Sequence, residues 1–242
     1  MSIKSLPNEN GVLAALPPAV YELIMPSLKR VRLEAGSALY DIGYTSDHSW
    51  FITSGIVSLL TTTENGDIIE AAAVGREGVV GLSGITKRNE MAFRAQAQIS
   101  GDALRIDAKT LQSMLVQESA FYKLLFEYTH TLSEQIALTV ACNWFHTAEQ
   151  RLARWLLMAR DRVSSDAMVL THDNMGQMLG VSRSRVSLAA GTLQKRGLIH
   201  YLRGHVSILN RGGLEDAACE CYQAISQTIG CFLPPEDRSD SD

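Results

Sequence analysis

The sequence predicts an α+β chain of three parts in order: a β-roll, one long helix, and a winged helix-turn-helix. Three observations carry this. Glycines punctuate short apolar runs between residues 30 and 107. Apolar residues recur every three or four positions from 119 to 142. Residues 170–199 read as two short helices around Gly180, Val181 and Ser182.

In the first part, Gly36, Gly43, Gly55, Gly66, Gly75, Gly78, Gly81 and Gly101 separate the apolar runs. Asn65-Gly66, between 57–62 and 68–74, is the strongest hairpin signal in the chain, because both residues tolerate the positive φ of a tight turn. Further strands are predicted at 50–52, 56–60, 95–99 and 103–106, a spacing that implies a compact antiparallel roll with room inside for a small molecule.

In the second part, Phe121, Leu125, Tyr128, Leu132, Ile136 and Val140 form an apolar seam. A helix of about 24 residues spans about 36 Å, more than one small roll covers, so the seam is predicted to pack against a second copy of the chain. Thr147 and Gln150 have the spacing of a capping box, opening a helix through Leu152, Trp155, Leu156 and Ala159.

In the third part, Thr171 is placed to cap a helix with Met175, Met178 and Leu179 on one face, and Gly180 to end it. Ser182 is placed to cap the next helix. Val186, Ala189, Ala190 and Leu193 make its inward stripe, leaving Arg183, Ser184, Arg185 and Ser187 outside. Arginine forks onto the two acceptors of guanine, and serine bonds bases or phosphates, so this face has the chemistry of a major-groove reader. Two runs at 199–202 and 206–209, joined through Arg203, Gly204 and His205, predict a hairpin wing with two basic-capable residues at its tip, the kind that touches the phosphate backbone.

Charge distribution agrees with that placement. The chain is formally -4, yet residues 143–213 hold ten Lys+Arg against four Asp+Glu. The positive charge sits on the helix-turn-helix segment, as phosphate neutralisation requires, and 236–242 form an acidic tail expected to be disordered. The expected divisions are a roll at 12–118, a dimerisation helix at 119–142, a DNA-binding part at 143–213, and a C-terminal helix with the acidic tail at 214–242.

No apolar run is long enough for a membrane span, and residues 1–10 lack an apolar signal core, so a cytoplasmic chain is expected. Motifs of serine hydrolases, phosphate-binding loops, zinc proteases and dinucleotide folds are absent, so no enzyme is expected. The cysteines are Cys142, Cys219, Cys221 and Cys231, with no CxxC pair. Cys142 and His146 stand one helical turn apart but lack third and fourth ligands. On one continuous helix Cys219 and Cys221 would point about 200° apart. No metal site is therefore expected.

The order of parts, with MGQMLGVSRSRV at 175–186, WFITSGIVSLL at 50–60 and EQRLARWLL at 149–157, resembles the cyclic-AMP receptor protein/FNR (Crp/Fnr) family of bacterial transcription regulators, over about residues 12–212. The resemblance implies a cyclic-nucleotide-binding-like roll and a homodimer on a two-fold symmetric site in double-stranded DNA, with RNA polymerase as a further partner if the outcome is activation. It places Arg183, Ser184, Arg185 and Ser187 in the major groove, with Ser182 and Thr171 on phosphates.

Two departures bear on the effector. Cyclic-nucleotide binders of the family carry a Gly-Glu-x-Gly segment and a following Arg-Ser pair. Here 78–82 read Gly-Val-Val-Gly-Leu, and Phe93 and Arg94 fall where the arginine and serine belong. A cyclic nucleotide is not expected. Any effector pocket would be drawn from Arg76, Glu77, Gly78, Val79, Gly81, Phe93 and Arg94, with Arg76 or Arg94 reaching an anion by another path. The iron-sulfur cluster of FNR is not expected either, since residues 1–30 contain no cysteine. The contrasting reading is a ligand-sensing module that signals through protein contacts without specific DNA binding, which would leave Arg183 and Arg185 no phosphates to neutralise.

Overall fold

The structure, a computed structural model, describes residues 9–82 and 90–233. The acidic tail lies outside the described residues. The chain divides into two compact units: one takes residues up to 59, 73–133 and those from 229, and the other takes 60–72 and 134–228.

The first unit opens with α1 (Gly11–Ala14) and α2 (Pro18–Ile24), followed by the strands of the roll. Asn10 caps α1 and is fully buried, its Nδ2 donating to the carbonyls of Ile52 and Gly78 at 2.8 Å each. The strands are β1 (Lys29–Leu33), β2 (Ala38–Tyr40), β3 (His48–Ile52), β4 (Ile56–Thr62), β5 (Ile68–Val74), β6 (Val79–Val80), β7 (Arg94–Ile99) and β8 (Gly101–Asp107). They form two four-stranded sheets, in the orders β1-β8-β3-β6 and β2-β7-β4-β5. At the β4–β5 turn Gly66 alone is left-handed, at φ 85°, and its N–H donates to Thr63 O at 2.9 Å; Asn65 does not share that conformation.

Asp107 caps α3 (Ala108–Gln117) by accepting from the amides of Lys109 and Thr110, and those bonds hold its carboxyl below the usual range. After α3 comes α4 (Ser119–Phe145), 27 residues long. Half of the predicted dimer seam on it needs correction. Phe121, Leu125 and Tyr128 are buried within their own unit, in one core with Leu13, Ile24, Phe51, Leu104, Ile106 and Phe232, and Leu132 packs against the edge of that core. The reason is geometric. Three successive steps of four residues, from Tyr128 to Val140, carry the seam about 120° around a helix of 3.6 residues per turn. Its first half faces the roll, whereas Val140 ends 65% exposed.

The second unit begins on α4 and continues with α5 (Ala148–Val163), whose capping box is complete: Thr147 Oγ1 accepts from Gln150 N and Gln150 Oε1 accepts from Thr147 N. The remaining elements are β9 (Ala167–Val169), α6 (His172–Leu179), α7 (Arg183–Lys195), β10 (Ile199–Leu202), β11 (His205–Ile208), α8 (Arg211–Ala217) and α9 (Cys221–Gly230). Where one C-terminal helix is predicted there are two, broken at Ala218, whose ψ of 165° is extended.

The tip of the β4–β5 hairpin belongs to this unit through a buried bond: Trp155 Nε1 donates to Glu70 Oε1 at 3.0 Å, with both residues almost fully buried. Glu70→Ala leaves the indole donor without this acceptor and is expected to cost about 1–3 kcal/mol of unfolding free energy, read by denaturant titration. Glu70→Gln keeps an acceptor and should lose less.

Candidate nucleic-acid interface

The candidate interface is made of α6, α7 and the β10–β11 wing. Thr171 Oγ1 accepts from Asn174 N at 3.1 Å to start α6, and Gly180, at φ 60°, ends it with its N–H on Gly176 O. Val181 N donates to the same carbonyl at 3.1 Å. A side chain at Gly176 would place its Cβ 3.0 Å from Val181 O, so the turn has little room for one.

The inward stripe of α7 is the predicted one, Val186, Ala189, Ala190 and Leu193, all buried. Arg183, Ser184, Arg185 and Ser187 are exposed on the other side. Ser182 stands at the N-cap position, but its hydroxyl lies 3.0 Å from Ser184 Oγ and makes no capping bond. The first amides of α7 therefore keep their donors for an anion, an arrangement that suits phosphate.

Arg183 pairs loosely with Asp173 at 3.8 Å, both side chains about 70% exposed. Ser187 Oγ donates to Arg183 O and lies 3.2 Å from His172 Nδ1. The His172 ring stacks on Tyr201 of the wing, centroids 4.5 Å apart, which ties α6 to β10. Burial and the neighbouring Arg183 hold the His172 pKa below its usual value.

The wing is a three-stranded sheet in the order β10-β11-β9, with β9 added to the predicted hairpin. Arg203, at φ 48°, and Gly204 form the two-residue turn. His205 is not in the turn: it is the first residue of β11, opposite Leu202 and Val169, and is exposed.

Sequence reasoning missed three residues here. Leu188 is 72% exposed on the outward face of α7, an apolar group of the kind that meets thymine methyls. Arg151 is buried; its Nη1 donates to Leu179 O at 2.9 Å and bonds Asn143 more weakly, fixing the end of α6 to α5 and to the end of α4. No local pattern signals a bond across 28 residues. Gly191 lies mid-helix with nothing within 4 Å of an added Cβ. Gly191→Ala should therefore raise unfolding free energy by roughly 0.5–1 kcal/mol, checked by thermal denaturation. DNA titration of the same variant reads whether the backbone there must approach DNA closely.

Of the candidate effector residues, Glu77, Gly78 and Val79 are taken up in the packing of the roll. Glu77 and Val79 are almost fully buried, Glu77 Oε1 accepting from Gly75 N at 3.1 Å. A Cβ on Gly78 would stand 2.3 Å from Tyr128 Oη, so the ring of α4 lies directly on that glycine. Gly81 O accepts from Ser49 Oγ, and the Arg76 carbonyl accepts from Gly11 N. Phe93 and Arg94 are half-buried, with Arg94 Nε 3.9 Å from Asp41.

Two domain families match the chain: the Cyclic nucleotide-binding domain over residues 30–118 and the Crp-like helix-turn-helix domain over residues 150–217. No curated protein matches in sequence. Among solved structures, FixK2 from Bradyrhizobium japonicum is similar at TM-score 0.68 and 17% identity, covering 79% of this chain and 98% of its own. CLP from Xanthomonas campestris, a c-di-GMP-responsive global regulator, is similar at TM-score 0.65 and 15% identity, covering 79% and 99%. A CRP-family transcriptional regulator from Thermus thermophilus is similar at TM-score 0.65 and 17% identity, covering 78% and 96%. These structures share the fold, and the helix-turn-helix match falls on the segment whose basic face is described above. The chain belongs to the Crp/Fnr family of transcription regulators.

Proposed function

We propose that the chain acts in the cytoplasm as a homodimer that reads a two-fold symmetric DNA site, with α7 in the major groove and Arg203 and His205 of the wing on the flanking backbone. The observation that carries this reading is the one-sided burial of α7: its apolar stripe faces the unit's core, while two arginines, two serines and Leu188 are exposed. Thr171 and Ser182 lie at the helix N-termini, where amides and hydroxyls suit phosphate.

The dimer surface in this reading is a stripe of α4 that the core leaves open. Tyr122, Phe126, Val140, Trp144 and Phe145 are all more than half exposed. Val140 follows Tyr122, and Trp144 follows Phe126, by 18 residues, which is five whole turns, so all four share one side of the helix. Thr129, Ser133 and Ile136 fill that line at alternating steps of three and four, the spacing of a coiled-coil seam.

For the roll, we infer that no cyclic nucleotide is held by the family's carboxylate and arginine. Valines occupy 79 and 80, and Gly78 lies under Tyr128. Any effector would act by preferring one of two dimer arrangements. RNA polymerase is the further partner if the outcome is activation.

The test is selection of genomic DNA fragments by the purified, ligand-free protein across a salt series. A palindromic motif with half-sites about one helical turn apart supports the reading. Only weak, sequence-blind retention, with or without cell extract as an effector source, would favour the protein-contact sensor.

A further inference from the structure

Cys219 and Cys221 do not share one continuous helix, contrary to the sequence expectation. Cys219 lies in the break between α8 and α9, and Cys221 opens α9. The break turns both sulfurs toward the end of α4. Cys142 Sγ is 3.5 Å from Cys219 Sγ, and Cys221 Sγ is 3.7 Å from His146 Nδ1. The four donor atoms lie within 4.8 Å of one another, all in the second unit, with the three cysteines buried and His146 half-buried.

The geometry points to a zinc site formed by Cys142, His146, Cys219 and Cys221. Four ligands at tetrahedral Zn–S and Zn–N distances stand about 3.6–3.8 Å apart, close to the two separations above, and the widest donor pair, within 4.8 Å, needs to close by only about 1 Å. A multi-iron cluster would interpose iron and sulfide between the thiolates, which this spacing does not allow. Three thiolates and one imidazole are a soft donor set suited to zinc, and with no position left open the site is structural.

Three features outside the donor atoms fit the same reading. His146 Nε2 lies 3.2 Å from Glu220 Oε1, so a carboxylate orients the ring with Nδ1 toward the sulfurs, as behind many metal-bound histidines. Arg154, on α5, is buried, and its Nε has no hydrogen-bond partner among the described residues. A Zn²⁺ with three thiolates carries a net charge of about -1, which Arg154 offsets. Tyr222, next to Cys221, donates to Asp161 Oδ2 at 2.7 Å and accepts from Arg211, holding the corner in place. The ion would tie the last turn of α4 to the α8–α9 corner, at the point where the chain turns into the DNA-reading unit.

The experiment measures metal in the full chain purified under reducing conditions, then replaces it with Co(II). One zinc per chain, and a tetrahedral thiolate–cobalt spectrum, are expected. Cys219→Ser should weaken cobalt binding at least tenfold, Glu220→Gln by roughly 10- to 100-fold, and Cys231→Ser should leave it unchanged. Glu220 is exposed, so its replacement tests the site without disturbing the fold. Chelation should lower the thermal midpoint of the wild type. Failure to bind zinc or cobalt when either is added, a Cys142–Cys219 disulfide in place of metal, iron with sulfide, or equal cobalt binding by wild type, Cys219→Ser and Glu220→Gln would each overturn the assignment.

Discussion

Arg183→Ala and Arg185→Ala are each expected to weaken specific DNA binding by about 1–3 kcal/mol, a loss of roughly 5- to 150-fold, and to flatten its salt dependence. Both side chains are exposed, so stability should stay within about 0.5 kcal/mol of wild type and the loss will not reflect unfolding. In the free protein Arg183 has Asp173 as a loose partner. An exposed pair of this kind contributes little to stability, and the carboxylate stands on the face proposed to meet phosphate. Asp173→Asn should accordingly tighten binding, most visibly at low salt, while Arg183→Ala weakens it. Binding isotherms of the variants on the selected operator and on unrelated DNA separate base reading from charge neutralisation: a loss confined to the operator marks a base contact, and an equal loss on both marks a phosphate contact. Unchanged operator affinity in both arginine variants would remove the basis for placing α7 in the groove.

The parts of the chain legible in the sequence are those with local causes. Thr171 and Gly180 bracket α6, Thr147 and Gln150 open α5, and Asn65-Gly66 turns the β4–β5 hairpin, each through bonds or backbone angles set within a few residues. Apolar spacing likewise identified the inward face of α7, because only one stripe there is apolar. On α4 two stripes are apolar, one from Phe121 and one from Tyr122, and periodicity alone cannot say which the roll covers. The same limit hid the Glu70–Trp155 bond, which spans 85 residues, and the approach of Cys142 to Cys219, which spans 77. The assumption that failed for the cysteines was a continuous C-terminal helix: an extended residue at Ala218 reverses the geometry inferred from the spacing of Cys219 and Cys221. Ser182 shows a subtler failure, since the residue type suits an N-cap while its hydroxyl is engaged with Ser184.

The division of α4 into a buried and an open face predicts opposite outcomes for two glutamate substitutions on one helix. Phe126 is 65% exposed, so Phe126→Glu, alone or with Val140→Glu, should leave the monomer folded and shift the mass measured by light scattering from dimer to monomer. Phe121 is fully buried in the roll core, and Phe121→Glu places a charge where no partner waits, a change of about 4 kcal/mol or more by the usual cost of an unpaired buried charge, close to the whole stability of many domains. That variant should fail to fold, not dissociate. The Phe126→Glu and Val140→Glu monomer should also lose most operator affinity, because two half-sites held by one rigid dimer bind with an effective local concentration that separate copies lack. A dimer that survives both exposed substitutions would place the symmetric contact elsewhere on the chain. A folded monomeric Phe121→Glu variant would show instead that the roll does not require α4 for its core.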